Sequence, residues 1–144
     1  MSQENVELVR DALNAFIEVD EGLAEPQRLT EFFAPDGTWG FSDLVGQSEL
    51  RDLNDFLEFR ATWMKPYAEW RYDVEKILDA GVNRVVAMFH QRGKPRDSDS
   101  WVEMHYGIVY TVEEGLIRRA VFYATPEEAL EAAGLSEQDA HADS

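Results

Sequence analysis

Up to Met64, apolar residues recur along the chain every three or four positions, which is the period of a helix with one buried face. The pattern predicts a first helix over about residues 3–19, where Ser2 suits the helix start. It predicts a second helix, PQRLTEFFA, from Pro26, and a third over Gln47–Met64. Between these two, the sequence Asp-Gly within FFAPDGTWGF indicates a turn into a short strand, TWGFSDLV.

After Met64 the period changes to two, which is typical of half-buried strands. Turns are indicated at residues 80–83 and 113–115, and the polar stretch GKPRDSDS predicts a loop. The predicted long strands are AEWRYDVEKILDA, RVVAMFHQRG, WVEMHYGIVYTV and LIRRAVFYA.

A last helix is predicted to begin after Thr125, which suits an N-cap before a proline and two glutamates, and to end at Gly134. Residues 135–144 form a polar tail that we expect to be frayed. Helices followed by a meander indicate one α+β domain over residues 1–134, in which a curved antiparallel sheet of four strands wraps around three N-terminal helices. A cavity is expected at the open end of such a sheet.

The chain carries 29 acidic against 13 basic residues, a net charge of −16. This charge repels phosphate backbones and anionic lipids, so we expect neither a nucleic-acid nor a membrane partner. Cysteine is absent, which excludes disulfides, and no apolar stretch is long enough for a membrane span. A cytoplasmic protein is the expectation. The sequence has no metal-ligand spacing and no Gly-rich phosphate loop, so neither metal nor cofactor is expected.

Three stretches carry a family resemblance: MSQENVELVRDALNAF, FFAPDGTW and GLIRRAVFYATPEEALEAAGL. Together they resemble the actinobacterial SnoaL-like branch of the nuclear transport factor 2-like superfamily. The resemblance implies a cone-shaped α+β barrel with an interior pocket and a homodimer through the outer sheet face. It implies no single activity, because the superfamily includes ketosteroid isomerases, epoxide hydrolases, polyketide cyclases and members without known activity.

Positions where the resemblance implies catalytic groups hold other residues here. The proton-shuttling aspartate of isomerase-like relatives corresponds to Phe41, the tyrosine of their oxyanion hole to Ala12, and its protonated acid to Gly107. The carboxylate of cyclase-like and epoxide-hydrolase-like relatives corresponds to Val121. The mechanisms of these relatives are therefore disfavoured.

Three other polar residues are candidates for catalysis. Asp43 is either a general base at the pocket mouth or a turn carboxylate. The resemblance turns positions 101, 103, 105, 107 and 109 inward, so His105 is either an acid/base oriented by Glu103 or a structural hydrogen-bonding residue. On the same registration His90 points outward.

Arg118 is predicted to lie on the inner face with Phe122. There it either clamps an anionic ligand or forms an internal salt bridge with Glu103 or Glu75.

Aromatic side chains are the remaining signal, because they suit either a pocket for a flat apolar molecule or ordinary core packing. Two functions follow: a binding protein for a small apolar ligand, or a cofactor-free isomerase, cyclase or dehydratase that uses His105. The predicted ligand-pocket residues are Trp39, Phe41, Trp63, Tyr67, Trp70, Phe89, Glu103 and Phe122.

Overall fold

The computed structural model describes residues 2–41 and 50–135 and contains three α-helices and five strands in these ranges. None of the described helices is long and apolar enough to cross a membrane. The elements in chain order are α1 (Ser2–Asp20), a 3-10 helix (Pro26–Glu31), β1 (Phe33–Phe41), α2 (Leu53–Met64), β2 (Tyr67–Asp79), β3 (Arg84–Pro95), β4 (Val102–Glu113), β5 (Leu116–Tyr123) and α3 (Pro126–Ala132).

The strands form one sheet in the order β1-β5-β4-β3-β2. Strands β2 to β5 make an antiparallel meander, whereas β1 pairs parallel to β5, from Phe33 opposite Ile117 to Phe41 opposite Phe122. The α+β prediction is confirmed. The sheet, however, is mixed and has five strands, because the strand that follows the 3-10 helix joins the free edge of β5 and runs in its direction.

Each face of the sheet has its own apolar core. On the inner face, Val9, Leu13 and Phe16 of α1 pack with Phe56 of α2 and Trp39 of β1. Trp39 and Phe56 stack with centroids 4.9 Å apart and 6° between the rings, a contact worth about 0.5–1.5 kcal/mol beyond its buried area. On the outer face, the short helix α3 covers a second cluster that contains Leu78, Val86, Val109, Ala129 and Leu130.

The helix boundaries differ from the prediction at two places. The predicted second helix is a 3-10 helix of six residues, Pro26–Glu31. The third begins at Leu53 and not at Gln47: Asp52 is its N-cap and accepts a hydrogen bond of 2.8 Å from the Asp55 amide. Leu50, two residues before this cap, instead forms a β-bridge with Trp39.

The C-terminal helix agrees with the prediction. The hydroxyl of Thr125 accepts a hydrogen bond of 3.2 Å from the Glu128 amide, as its N-cap role requires. Gly134 follows the helix with a φ of +77°, a left-handed conformation that favours glycine. The predicted tail beyond residue 135 lies outside the described residues.

Candidate functional site

The inner face of the sheet, α1 and α2 line a half-open cavity whose wall consists mostly of aromatic rings. Its volume is about 50 Å³, which has room for a few water molecules. An open depression of about 470 Å³ borders it, and Trp70 and Tyr72 line both spaces. A cavity known to bind benzene measures roughly 150 Å³, so a ring-shaped molecule would have to displace some of the side chains that line this smaller space.

Five of the predicted pocket residues line this cavity: Trp39, Trp63, Trp70, Phe89 and Phe122. Phe41 does not line it but lies behind Phe122, with stacked rings 4.8 Å apart. Tyr67 packs edge-on against Trp70 at 5.3 Å, and its ring occupies the space above Gly93. Both residues therefore support the wall without forming part of it.

The inward and outward positions of strand β4 are the reverse of those predicted. Tyr106, Ile108 and Tyr110 line the cavity, so the inner positions are even-numbered. Gly107 lies on the outer face, where α3 packs so closely that a side chain would collide with Ala129. The predicted inward orientation of His105 is therefore wrong, and with it that of Glu103, because adjacent positions of a strand face opposite sides.

His105 and Glu103 belong to a polar cluster on the outer face. His105 stacks on His90, its direct partner across β3 and β4, with ring centroids 4.4 Å apart. His105 Nδ1 lies 3.3 Å from Glu75 Oε1, and His90 Nε2 lies 3.0 Å from Glu103 Oε1. The side chain of His105 is 55% exposed and has the sheet between itself and the cavity.

Arg118 does not reach the cavity either, because the β4–β5 pairing is irregular at this point. Val112 pairs with Ile117 and Thr111 with Arg119, which leaves Arg118 as the extra residue of a β-bulge. Its guanidinium contacts carboxylate oxygens of Asp36 at 2.9 Å and Glu113 at 2.6 Å. Arg118 is therefore in a salt bridge, one of the two predicted alternatives, but its partners are not the predicted Glu103 or Glu75. The hydrogen bond and charge of Arg118 lower the pKa of Asp36.

Arg60, on α2, is a polar residue of the cavity that the sequence analysis missed. It follows Phe56 by four positions and precedes Trp63 by three, so all three share one helix face, and an arginine on that otherwise aromatic face was the available signal. Its guanidinium donates two hydrogen bonds to the carboxylate of Asp20, at 2.7 and 2.6 Å. Burial lowers the pKa of Arg60, but the hydrogen bond and charge of Asp20 outweigh burial and raise it.

Tyr72, Tyr106 and Tyr110 were also missed as lining residues. Burial raises the pKa of Tyr72 to about 12 and raises the pKa values of Tyr106 and Tyr110 further. All three phenols are therefore neutral at physiological pH and can donate a hydrogen bond.

The chemistry of this wall is limited. Among the described residues that line the cavity, none carries a carboxylate or an imidazole, so the wall offers phenols, indoles and the guanidinium of Arg60. Within the described ranges no three His, Cys, Asp or Glu side chains are grouped to hold a metal ion. Asp43 lies outside the described residues. The wall offers ring contacts and hydrogen-bond donors to a molecule that displaces some of the lining side chains, but these lining groups include no general base of ordinary strength.

A comparison with known proteins identifies the family. The profile of the SnoaL-like domain matches residues 9–120, which include the cavity-lining residues from Leu13 to Ala120. The chain belongs to the SnoaL-like family. No curated protein sequence matches this SnoaL-like chain.

Solved structures share the fold. An NTF2-like protein of unknown function from Burkholderia pseudomallei K96243 superposes with a TM-score of 0.68 at 18% identity, over 91% of this chain and 97% of that one. TerC, co-crystallized with polyporic acid, gives 0.69 at 15% identity, over 91% and 98%. A hypothetical protein with a ketosteroid isomerase-like fold from Catenulispora acidiphila DSM 44928, in complex with trimethylamine, gives 0.62 at 16%, over 88% and 95%. These similarities establish an NTF2-like fold for this chain.

Proposed function

We propose that this SnoaL-like protein binds a small, ring-shaped apolar molecule in its interior cavity and performs no proton-transfer chemistry on it. The observation that carries the proposal is the composition of the described wall, which is rich in aromatic rings and lacks carboxylate and imidazole groups. Rings supply apolar contact to a flat molecule, whereas proton abstraction requires a group that accepts the proton. The similarity to structures crystallised with polyporic acid or trimethylamine is consistent with a small-molecule site.

In the catalytic alternative, His105 is the acid or base. Its position on the outer face removes the reason for that role. His105 and the cavity lie on opposite faces of the sheet. A substrate in the cavity would therefore be separated from the imidazole by the backbone of β4. The guanidinium of Arg118, predicted as a possible clamp for an anionic ligand, instead contacts Asp36 and Glu113.

Tryptophan fluorescence provides the test, because three of the four tryptophans line the cavity. The fourth, Trp101, is 42% exposed and packs beside Arg71. In a library of aromatic compounds, binders should change the fluorescence of the natural protein and of Trp101→Phe alike. Calorimetry then gives the affinity. A binder whose fluorescence change disappears in Trp101→Phe would lie outside the cavity, and a library without any binder would refute the proposal.

We further propose that the protein acts in the cytoplasm as a homodimer through the outer sheet face. The absence of cysteine is consistent with a reducing compartment. On this face α3 covers one part, and beside it His105, Glu75 and Glu103 remain accessible, with the half-buried His90 stacked against His105. Light scattering at micromolar concentration distinguishes a dimer from a monomer, and a Glu103→Lys variant should weaken a dimer formed through this face.

A further inference from the structure

We infer that Arg60 anchors an acidic oxygen group, a carboxylate or an ionised enol, on the ring-shaped ligand, and that this group replaces Asp20 as the partner of the guanidinium. The inference rests on the proposed binding function and specifies the class of ligand. Arg60 is the one charged side chain among the described residues that line the cavity. The side chain of Arg60 is only 15% exposed, and its guanidinium carbon lies 5.2 Å from the centre of the Phe16 ring.

The position of Asp20 favours the exchange. It is the last residue of α1, where the negative end of the helix dipole disfavours a carboxylate, and no basic residue occupies that last turn. Asp20 also lines the open depression, whereas Arg60 lines the cavity. The side chain of Asp20 is 26% exposed against 15% for Arg60, so a displaced Asp20 carboxylate would turn towards solvent while the guanidinium kept a charge partner at the cavity.

The other polar groups around Arg60 are suited to an oxygen-rich ligand. Guanidinium and indole groups donate hydrogen bonds and accept none, and the neutral phenols can donate as well. The buried indole nitrogen Nε1 of Trp70 has no hydrogen-bond partner within the described ranges, although its ring lines both the cavity and the open depression. Such an unpaired buried donor is costly, and a ligand oxygen would satisfy it. Donors thus outnumber acceptors in this wall.

The geometry of Arg60 also suits a planar acid. Its two hydrogen bonds to Asp20 use both oxygens of one carboxylate, the fork-like pairing that a ligand carboxylate reproduces. A molecule that carries its acid on an aromatic ring would place the acid at Arg60 and the ring against the aromatic wall. The net negative charge of the protein repels an anionic ligand at long range, and salt screens this repulsion. The contact with Arg60 is short and partly buried, so salt screens it less.

Three probes of similar size test the inference: benzoate, the neutral isostere benzamide, and benzylamine, which is a cation at neutral pH. Their affinities are measured by calorimetry and tryptophan fluorescence for the natural protein, Arg60→Leu, Asp20→Asn and the double variant. Arg71→Leu is the matched control, because it removes a positive charge from the open depression and leaves the cavity wall intact. Circular dichroism checks that each variant is folded, and the double variant avoids leaving Asp20 without a partner.

We expect benzoate to bind the natural protein at least about tenfold more tightly than benzamide, the scale of one charge-assisted hydrogen-bonded pair. Arg60→Leu and the double variant should abolish this difference and retain benzamide binding. Asp20→Asn should strengthen benzoate binding, because it removes the competing carboxylate, and Arg71→Leu should leave the preference in place. Equal binding of benzoate and benzamide, or tightest binding of benzylamine, would overturn the anchor and leave the binding function standing. If none of the three probes binds and no compound of the aromatic library binds either, the binding function itself is refuted.

Discussion

Gly107 of β4 lies directly beneath Ala129 of α3, so close that a β-carbon on residue 107 would be 2.5 Å from the β-carbon of Ala129. This contact decides which face of β4 is turned to the cavity. With α3 seated on the odd-numbered face, the even-numbered positions carry Tyr106, Ile108 and Tyr110 into the interior.

Gly107→Ala should therefore destabilise the protein, because the added methyl forces α3 away from the sheet. The expected loss is about 1–3 kcal/mol in the free energy of unfolding, the usual cost of overpacking. Urea denaturation measures it. Ala129→Gly in the same chain should recover part of the loss by making room for the methyl. Equal stability of Gly107→Ala and the natural protein would mean that α3 does not pack here.

His105→Gln should leave ligand affinity unchanged within about twofold, because the imidazole lies on the outer face. Phe122→Leu is the matched change in the cavity wall, and it should weaken a bound aromatic molecule several-fold by removing ring contact. Calorimetry with any binder found in the fluorescence assay measures both. A loss of affinity in His105→Gln greater than that in Phe122→Leu would restore His105 to the functional site.

Alkaline pH should destabilise the fold through its buried phenols. In the unfolded chain a tyrosine ionises near pH 10, whereas the pKa of Tyr72 in the folded protein is about 12. Below pH 10 both states are protonated and stability is intact. Between pH 10 and 12 the unfolded state alone loses the proton, so the unfolding free energy should fall by up to about 1.4 kcal/mol per pH unit for each such tyrosine.

Urea midpoints measured across this range provide the check. Tyr72→Phe should show a shallower fall than the natural protein, together with a smaller rise in tyrosinate absorbance near pH 12. A slope that Tyr72→Phe does not change would contradict the buried position of this phenol.

Acid should weaken the attachment of β1 to the meander. The hydrogen bond from Arg118 lowers the pKa of Asp36, so this pair contributes to stability above the ordinary aspartate pKa of 3.8. The contribution should disappear as the pH falls through the lower folded value. Asp36→Asn should remove that part of the pH dependence in urea titrations between pH 5 and 2, and Arg118→Met should have the same effect. If both variants follow the natural curve, the pair has no energetic role.

Sequence periodicity was sufficient to predict the meander, the last helix and its Thr125 cap, because these features depend on neighbouring residues. The orientation of β4 was not predictable in the same way. Both of its faces are apolar over residues 106–110, since α3 buries Val109 outside while Tyr110 is buried inside. Alternation alone cannot separate two buried faces.

Two other features of the site were not predicted, because each depends on structure that a local sequence pattern does not contain. The bulge at Arg118 shifts the alternation of β5 by one position, so a residue counted inward from Phe122 lies outside the cavity. Arg60 was overlooked because its significance depends on Asp20, forty positions earlier in the chain. The aromatic residues were easier to identify, since Trp39, Trp63 and Trp70 are large enough to suggest burial by themselves.

The parallel pairing of β1 with β5 also has a consequence for how the protein folds and opens. The hairpins of the meander join neighbours in sequence, whereas β1 must find a partner across the long interval between Phe33 and Ile117. Contacts of such separation form late and at a high cost in chain entropy, so β1 should dock last and detach first. Since Trp39 of β1 lines the cavity, a molecule bound there would stabilise β1 in its docked position on the sheet. Amide hydrogen exchange in β1 should then slow more on ligand binding than exchange in β3, and the cavity would be completed only at the end of folding.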